Sequence, residues 1–160
     1  MSGKSVARLL VACGISLAAG LIGSFTTMGE GFNLWYATIE KPSFTPPNWV
    51  FGPVWTILYL LMGVAAFLIW QKGVQFRMIR IALRWFLVQL VLNALWTPVF
   101  FGLHQIGWAF VVIVLLWIAI VVTTYCFARV SKTGAALLVP YLLWVSFAAV
   151  LNGAIWWLNR

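Results

Sequence analysis

The stretch WAFVVIVLLWIAIVVTTYCFA, from Trp108 to Ala128, contains no charged side chain. A helix needs about 20 predominantly apolar residues to cross the hydrocarbon core of a bilayer. Apolar and polar residues do not alternate along this stretch, as they would in a strand of a membrane barrel. The stretch therefore predicts a membrane-spanning α-helix.

Four further apolar stretches of similar character lie on either side of it. They are Val6–Thr27, Asn48–Trp70, Ile79–Phe101 and Thr133–Leu158. Of the 160 residues, 64% are apolar and 8% are charged, whereas a soluble domain has roughly 45–50% apolar and about 25% charged residues. This composition excludes a soluble enzyme and a disordered chain. We expect an all-α membrane protein with one domain, residues 1–160, that forms a bundle of five transmembrane helices.

The first apolar stretch follows Lys4 and Arg8, which is also the pattern of a signal peptide. Apolar residues continue past the small residues that end at Gly20, as far as Met28. This length favours a transmembrane span over a cleaved signal.

Charge is distributed unevenly over the connections. The formal net charge is +8, from ten Lys and Arg against two acids. Five spans place eight of the cations on one side, namely Lys4, Arg8, Lys72, Arg77, Arg80, Arg84, Arg129 and Lys132. The other side has only Lys41 and Arg160. Because cytoplasmic loops carry an excess of cations, we expect a multi-pass protein of the bacterial cell membrane, with a cytoplasmic N-terminus and an external first loop and C-terminus. This topology accounts for the basicity without a nucleic-acid partner.

The first connection, Met28–Pro47, is the longest, and it holds both acids, Glu30 and Glu40. It also contains aromatic, basic and proline residues: Trp35, Tyr36, Lys41, Pro42, Phe44, Pro46 and Pro47. Long loops in compact domains are often functional, and prolines restrict their conformations. We expect this segment to act as a lid over one end of the bundle, and a simple linker is the alternative.

Three of the predicted spans carry aromatic and polar residues at helical spacing. The second has Trp55 and Tyr59, the third has Trp85, Gln89, Asn93 and Trp96, and the fifth has Tyr141, Trp144, Ala148 and Asn152. Polar side chains within a membrane usually point into the bundle. Gln89, Asn93 and Asn152 could bond between helices, or they could line a pocket for a flat, largely apolar ligand together with the rings. The residues by themselves do not decide between these two interpretations.

Other chemistries lack the residues that they need. No Asp or Glu lies in a predicted span, which excludes a carboxylate proton relay or a paired acid and base there. His104 is the only histidine and lies in the third connection, while Cys13 and Cys126 lie in separate spans. We expect no metal site and no required cofactor.

Several motifs together resemble one known family. KPSFTPP at 41–47 and WTILY at 55–59 resemble its first loop and second helix. NALWTPVFFG at 93–102 and QIGWA at 105–109 resemble its third helix and the start of its fourth. PYLLW at 140–144 resembles its fifth helix, which continues through Phe147, Ala148, Leu151 and Asn152. This is the TspO/MBR family, also called translocator protein, peripheral benzodiazepine receptor or tryptophan-rich sensory protein, and the resemblance covers nearly the whole chain in order.

The resemblance implies a bundle whose ligand cavity is closed by the first loop. Members of the family bind porphyrins such as protoporphyrin IX, and synthetic benzodiazepine-type ligands. Carried over by motif, with Tyr141 added from its helical face, the ligand-binding residues would be Trp55, Tyr59, Asn93, Trp96, Trp108, Tyr141, Trp144, Ala148, Leu151 and Asn152. The lid residues would be Trp35, Lys41, Pro42, Phe44, Pro46 and Pro47.

The function that the resemblance implies is tetrapyrrole binding in the membrane, by a sensor, carrier or regulator whose porphyrin is a ligand. One alternative is an enzyme that degrades porphyrin with light and oxygen, for which Trp55 and Trp144 would be the candidate catalytic residues. The other alternative is a transporter of porphyrin or of another hydrophobic small molecule.

Three features depart from the family pattern. Phe44 stands where the first loop usually has tryptophan. The segment 151–156 lacks the tyrosine of the sterol consensus, so we do not expect high-affinity sterol binding. The third helix has a poor small-residue pattern for the dimer contact that this family uses, at Ala82, Phe86, Leu90 and Ala94. We therefore expect either a homodimer with a different interface or no dimer.

Overall fold

The computed structural model describes residues 3–25 and 30–160, and the side chains of the second range from residue 34 onward. These residues form helices joined by short connections and contain no β-strand. The helices are α1 (Gly3–Ser24), α2 (Glu30–Thr38), α3 (Asn48–Trp70), α4 (Arg77–Thr97), α5 (Ile106–Ala128), α6 (Lys132–Ala136) and α7 (Val139–Leu158), with a π-helical turn at Pro98–Gly102. Five segments of the described chain are long and apolar enough to cross a membrane. The predicted all-α class with five spans is confirmed.

The predicted spans agree with the helices to within a few residues. The second predicted span and α3 share both bounds, Asn48 and Trp70. The third predicted span covers α4 together with the π-helical turn, and the fifth covers both α6 and α7. The end predicted for the first span, Thr27, lies outside the described residues.

Prolines account for the division of the third and the fifth predicted span into two helical elements each. Pro98 has no amide hydrogen to donate to the carbonyl one helical turn earlier. The chain continues there as a π-helical turn, in which the Leu103 N–H donates to the Pro98 carbonyl oxygen at 2.9 Å. Pro140 lies in the first turn of α7, where the N–H that it lacks would have no helical partner. A new helix therefore begins beside Pro140 instead of α6 continuing through it.

The five long helices form a closed ring. α1 packs against α3 and α4, α4 against α5, α5 against α7, and α7 lies beside α3. α1 and α3 approach closely because Gly63 faces Cys13, and a Cβ added at Gly63 would lie 2.5 Å from the Cys13 Cα. Large aromatic side chains, by contrast, bridge the space between α3 and α7. This space holds most of the residues that the sequence singles out.

The first connection is partly helical, where the sequence predicts a loop. Trp35 of α2 stacks on His104 with 4.3 Å between ring centroids, and Tyr36 meets the edge of Phe101 at 5.5 Å. A helix as short as α2 is not stable on its own in water, so these tertiary contacts with the π-helical turn and the residues after it stabilise α2.

A pair of hydrogen bonds fixes the end of the first connection to the end of α7. The Glu40 N–H donates to Asn159 Oδ1 at 2.9 Å, and Asn159 Nδ2 donates to the Glu40 carbonyl at 2.9 Å. The first connection, the π-helical turn and the end of α7 therefore lie at one end of the bundle, which we call the loop end. The α3–α4 and α5–α6 turns lie at the opposite end, the basic end.

Candidate functional site

Aromatic side chains of α3 and α7 meet across the space between these helices. Phe51, Trp55 and Tyr59 are each four residues apart on α3 and therefore share one face. The ring centroids of Phe51 and Trp144 are 5.9 Å apart, and those of Trp55 and Tyr141 are 6.1 Å apart, both with edge-to-face geometry. Trp55 also stacks on Tyr59 at 5.5 Å. We call these residues the aromatic layer: Phe51, Trp55, Tyr59, Tyr141, Trp144 and Phe147.

A chain of buried hydrogen bonds joins α3, α4 and α7 beside the aromatic layer. The Tyr59 hydroxyl donates to Asn93 Oδ1 at 2.6 Å. Asn93 Nδ2 donates to the Tyr141 hydroxyl at 3.0 Å, and that hydroxyl donates to Gln89 Oε1 at 2.9 Å. All four side chains are buried. We call Tyr59, Asn93, Tyr141 and Gln89 the polar chain.

Of the two interpretations that the sequence leaves open, the structure shows the bonding between helices, and the ligand pocket stays a prediction. Gln89 and Asn93 do bond between helices, which is the first interpretation. The same bonds fix Tyr59 and Tyr141, whose rings belong to the aromatic layer. The polar chain contains only amides and hydroxyls, so it can orient rings and bind polar groups without placing a charge in the membrane.

Gly20 of α1 leaves the space in which the Tyr59 ring lies. A Cβ added at Gly20 would collide with the Tyr59 ring. The Tyr59 ring can therefore pack against α1 while its hydroxyl reaches Asn93 on α4. Gly20 is a positioning residue for the polar chain.

A second polar contact lies nearer the loop end. The Trp96 indole N–H donates to Asn152 Oδ1 at 3.0 Å, and Asn152 Nδ2 donates to the Ile106 carbonyl at 3.1 Å. The Trp96 ring stacks on Phe100 at 5.1 Å, and Leu151 is buried in the same cluster. These contacts join the end of α4 and the start of α5 to α7.

Trp144 differs from Trp96 in the hydrogen bonding of its indole. Its indole Nε1 is buried and has no hydrogen-bond acceptor among the described residues. In contrast, the half-buried Trp96 indole donates to Asn152 Oδ1 at 3.0 Å. A buried N–H without a partner costs free energy, and an indole N–H in an apolar setting usually finds one. A ligand with an oxygen or nitrogen acceptor in the aromatic layer would supply the missing partner.

Phe44 of the predicted lid contacts α7, whereas Lys41 contacts residues of the first connection itself. Phe44 is 48% exposed, and its ring lies 6.3 Å from that of Phe147. The Lys41 Nζ lies 4.7 Å from the centroid of the Tyr36 ring and donates to the Ile39 carbonyl at 3.0 Å. Burial raises the pKa of the Tyr36 hydroxyl, so this ring remains neutral at pH 7 beside the Lys41 ammonium.

The prolines of the first connection shape its path into α3. The Pro42 carbonyl accepts hydrogen bonds from the Thr45 N–H at 3.1 Å and the Thr45 hydroxyl at 2.7 Å, which closes a turn around Phe44. Pro46 is half-buried. Pro47 immediately precedes α3 with φ −58°, the angle that its ring imposes.

The structure brings most of the predicted ligand-binding residues into two adjoining groups. Trp55, Tyr59, Asn93, Tyr141 and Trp144 lie in the aromatic layer or the polar chain, with Ala148 half-buried on the same helix as Trp144. Trp96, Leu151 and Asn152 form the second group near the loop end.

Two tryptophans lie outside these groups. Trp108 is 67% exposed on the surface of α5, and the structure does not bring it to either group. Trp85, expected on one face with Gln89 and Asn93, is 37% exposed while those two amides are buried. Trp108 lies in the first turn of α5, where tryptophans anchor at the interface between membrane and water. Trp85 lies more than two turns into α4, directly after Arg84.

Three residues of the site were not among the predicted ligand-binding residues: Phe51, Gln89 and Phe147. Phe51 lies four residues before Trp55, so the helical spacing that grouped Trp55 with Tyr59 could have found it. Within the described ranges, no three His, Cys, Asp or Glu side chains come close enough to hold a metal ion.

These features define a small helical membrane protein with an aromatic, uncharged site between two of its helices. A sequence model of the TspO/MBR family matches residues 12–158. The chain belongs to the TspO/MBR family.

Proteins from bacteria and animals are similar to this chain over nearly its whole length. The tryptophan-rich protein TspO of Chlorobaculum tepidum is 44% identical over 98% of each chain. The human translocator protein is 42% identical over 91% of this chain and 88% of its own. The tryptophan-rich sensory protein of Cereibacter sphaeroides is 36% identical over 89% of this chain and 84% of its own.

Proposed function

We propose that this protein binds a flat, largely apolar tetrapyrrole of the protoporphyrin IX type in the aromatic layer, and that it acts as a membrane sensor, carrier or regulator. The observation that carries the proposal is the buried Trp144 Nε1, which has no acceptor among the described residues. A porphyrin has a wide apolar face for stacking, together with carboxylates and nitrogens that accept hydrogen bonds. Benzodiazepine-type ligands, which are also aromatic and carry acceptors, fit the same site chemistry.

The names of two relatives support a role in sensing or movement of a small molecule. One is called a tryptophan-rich sensory protein and the other a translocator protein. For this chain, binding in the aromatic layer is the step that sensing and carrying have in common.

The first connection serves in this proposal as the lid of the site. Phe44 is half exposed while it touches Phe147 of the aromatic layer, so it can move away without exposing a packed core. Lys41 lies in the same segment, where its ammonium can pair with a propionate of the porphyrin at the mouth of the site.

A Trp144→Ala variant is expected to bind protoporphyrin IX more weakly by about 1–3 kcal/mol, by analogy with base stacking on aromatic side chains. The substitution removes both a stacking ring and the unpartnered N–H. The measurement is a titration of purified protein with protoporphyrin IX in the dark, followed through the absorbance of the bound ligand.

Two further variants separate the contributions of ring and N–H. Trp144→Phe keeps an aromatic ring, so an intermediate affinity would assign part of the effect to the lost hydrogen bond. Trp157→Ala, at the exposed end of α7, removes a tryptophan of the same helix and is expected to leave the affinity unchanged. If Trp144→Ala is folded and binds porphyrin with wild-type affinity, Trp144 is not part of the ligand site.

Degradation of porphyrin in light is the second candidate function. The contact of Trp55 with Tyr59 and Tyr141 favours it, because three oxidisable rings lie together beside the proposed ligand. Illumination of the titrated samples with oxygen tests it. If a Trp55→Phe/Trp144→Phe variant retains porphyrin and bleaches it at the wild-type rate with the same products, the loss of porphyrin is ordinary photobleaching.

The remaining alternative is a transporter of porphyrin. Flux of porphyrin into sealed vesicles that contain the protein tests it.

We also propose that the basic end faces the cytoplasm of a bacterial cell, as the bias of Lys and Arg indicates. Ser43 is exposed at the loop end, so an impermeant thiol reagent is expected to label a Ser43→Cys variant in intact cells. The wild-type chain, with its half-buried Cys13 and buried Cys126, supplies the background. Labelling of Ser43→Cys only after lysis would reverse the orientation.

A further inference from the structure

Eight cations are concentrated at the basic end without a carboxylate from the same chain. The only two acidic residues of the sequence, Glu30 and Glu40, both lie in the first connection. An odd number of spans separates the first connection from the α3–α4 and α5–α6 turns, which places it at the opposite end of the bundle. The counter-charge at the basic end must therefore come from another molecule.

Part of this charge surrounds a recess between the two turns of the basic end. The recess has a volume of about 500 Å³. Three cations line it, Lys72 after α3, Arg77 at the start of α4 and Arg129 after α5, together with the apolar side chains of Phe76, Met78 and Val130. The site thus combines positive charge with apolar surface.

The side chains of these three cations differ from that of Arg80, which is hydrogen-bonded within the described residues. Arg80 donates to the carbonyls of Val74 and Gln75 at 3.1 and 2.9 Å, so it orders the α3–α4 turn. No such bond is made in the described residues by Lys72, Arg77 or Arg129. The N-terminus of α4, where Arg77 lies, has neither a side-chain cap nor an acidic residue in its first turn, and its free N–H groups add to the positive potential.

We propose that this recess binds the phosphate of an anionic phospholipid. Arginine side chains suit phosphate oxygens in charge and geometry, and basic pockets at the ends of membrane helices have the chemistry of headgroup sites. Phe76 and Met78 are 57% and 47% exposed beside the cations. An acyl chain can cover these apolar surfaces, whereas a free, hydrated phosphate ion cannot. The site is distinct from the aromatic layer and does not depend on porphyrin binding.

The test compares lipid retention by two double variants that each lose two positive charges. The purified protein is incubated with equal amounts of phosphatidylglycerol and phosphatidylcholine of the same acyl chains, and bound lipid is counted by native mass spectrometry. We expect the wild-type protein to prefer phosphatidylglycerol. Arg77→Gln/Arg129→Gln is expected to lose about ten-fold or more of this preference, since each cation near an anionic headgroup contributes about five-fold. Lys4→Gln/Arg84→Gln removes the same charge from outside the recess and is expected to keep most of it.

Each other outcome has a defined meaning. Equal losses in the two double variants would overturn the site, because diffuse surface charge would then account for the preference. No preference in the wild-type protein would overturn the lipid as the ligand of the recess. Inorganic phosphate is titrated separately as the lipid-free arm. If it binds with the same dependence on Arg77 and Arg129 while phosphatidylglycerol shows no preference, a soluble phosphate ligand replaces the lipid. A Lys72→Gln variant, altered only in an exposed turn, tests the recess again if a double variant does not fold, and it is expected to lose about five-fold of the preference.

Discussion

A Gly63→Ala variant is expected to have a free energy of unfolding about 2–4 kcal/mol below that of the wild-type protein. Gly63 is buried where α3 crosses α1, and a Cβ there would lie 2.5 Å from the Cα, 2.8 Å from the Sγ and 2.9 Å from the N of Cys13. Two of these atoms are backbone, so a change of rotamer cannot relieve the collision and the helices must separate. The measurement is unfolding in mixed micelles with increasing dodecyl sulfate, followed by circular dichroism.

Gly52→Ala is the matched control on the same helix. Beyond the neighbouring backbone of α3, no atom of the described residues lies within 4 Å of a Cβ added at Gly52, and alanine is favoured over glycine in a helix by about 1 kcal/mol. This variant is therefore expected to be neutral or more stable. A Cys13→Ala/Gly63→Ala variant removes the Sγ and leaves the Cα. If the double variant regains wild-type stability, the collision with the Cys13 Sγ alone explains the loss in Gly63→Ala. If Gly63→Ala is as stable as Gly52→Ala, the close approach of α1 and α3 is wrong.

The spans could be predicted from the sequence because crossing a bilayer requires length and apolarity, which are both local properties. The agreement of α3 with the predicted Asn48–Trp70 illustrates this. Helix α2 was missed because nine residues between polar and proline-rich segments carry too little local signal. What stabilises α2 is the contact of Trp35 with His104, about 70 residues later in the chain, and such a pairing leaves no periodic pattern.

The sequence contains the cause of the interruptions within the third and fifth spans. Pro98 and Pro140 both lie inside predicted spans, and each removes a hydrogen-bond donor from the helix. Hydropathy does not register a lost donor, so a prediction that rests on hydropathy runs each span through its proline. The π-helical bond that follows Pro98, from the Leu103 N–H to the Pro98 carbonyl oxygen, depends on the backbone geometry of the turn.

The site was predictable one helix at a time. Helical spacing grouped Trp55 with Tyr59, and Tyr141 with Trp144, because residues three or four apart share a face. Spacing cannot show that these two faces meet, since that depends on the order of helices around the ring. The role of Gly20 is hidden for the same reason, because the ring that it accommodates, Tyr59, belongs to another helix.

An Asn93→Leu variant is expected to lower the free energy of unfolding by about 2–4 kcal/mol, since a buried polar group left without its partner costs about 1–3 kcal/mol. Leucine keeps the approximate size of the side chain. It removes the acceptor of the Tyr59 hydroxyl and the donor to the Tyr141 hydroxyl, both of which are buried. The dodecyl sulfate titration measures the stability, and Asn48→Leu, at the exposed start of α3, is the control for loss of an amide.

Porphyrin affinity of the same Asn93→Leu variant distinguishes the two roles of the polar chain. If the polar chain orients the rings of Tyr59 and Tyr141 for a ligand, the folded variant will bind protoporphyrin IX several-fold more weakly as well as being less stable. If Asn93 serves only to join α3, α4 and α7, stability will fall while the affinity of the folded fraction stays at the wild-type value. Wild-type stability would contradict both roles, because two buried hydroxyls cannot lose their Asn93 contacts at no cost unless other groups replace them.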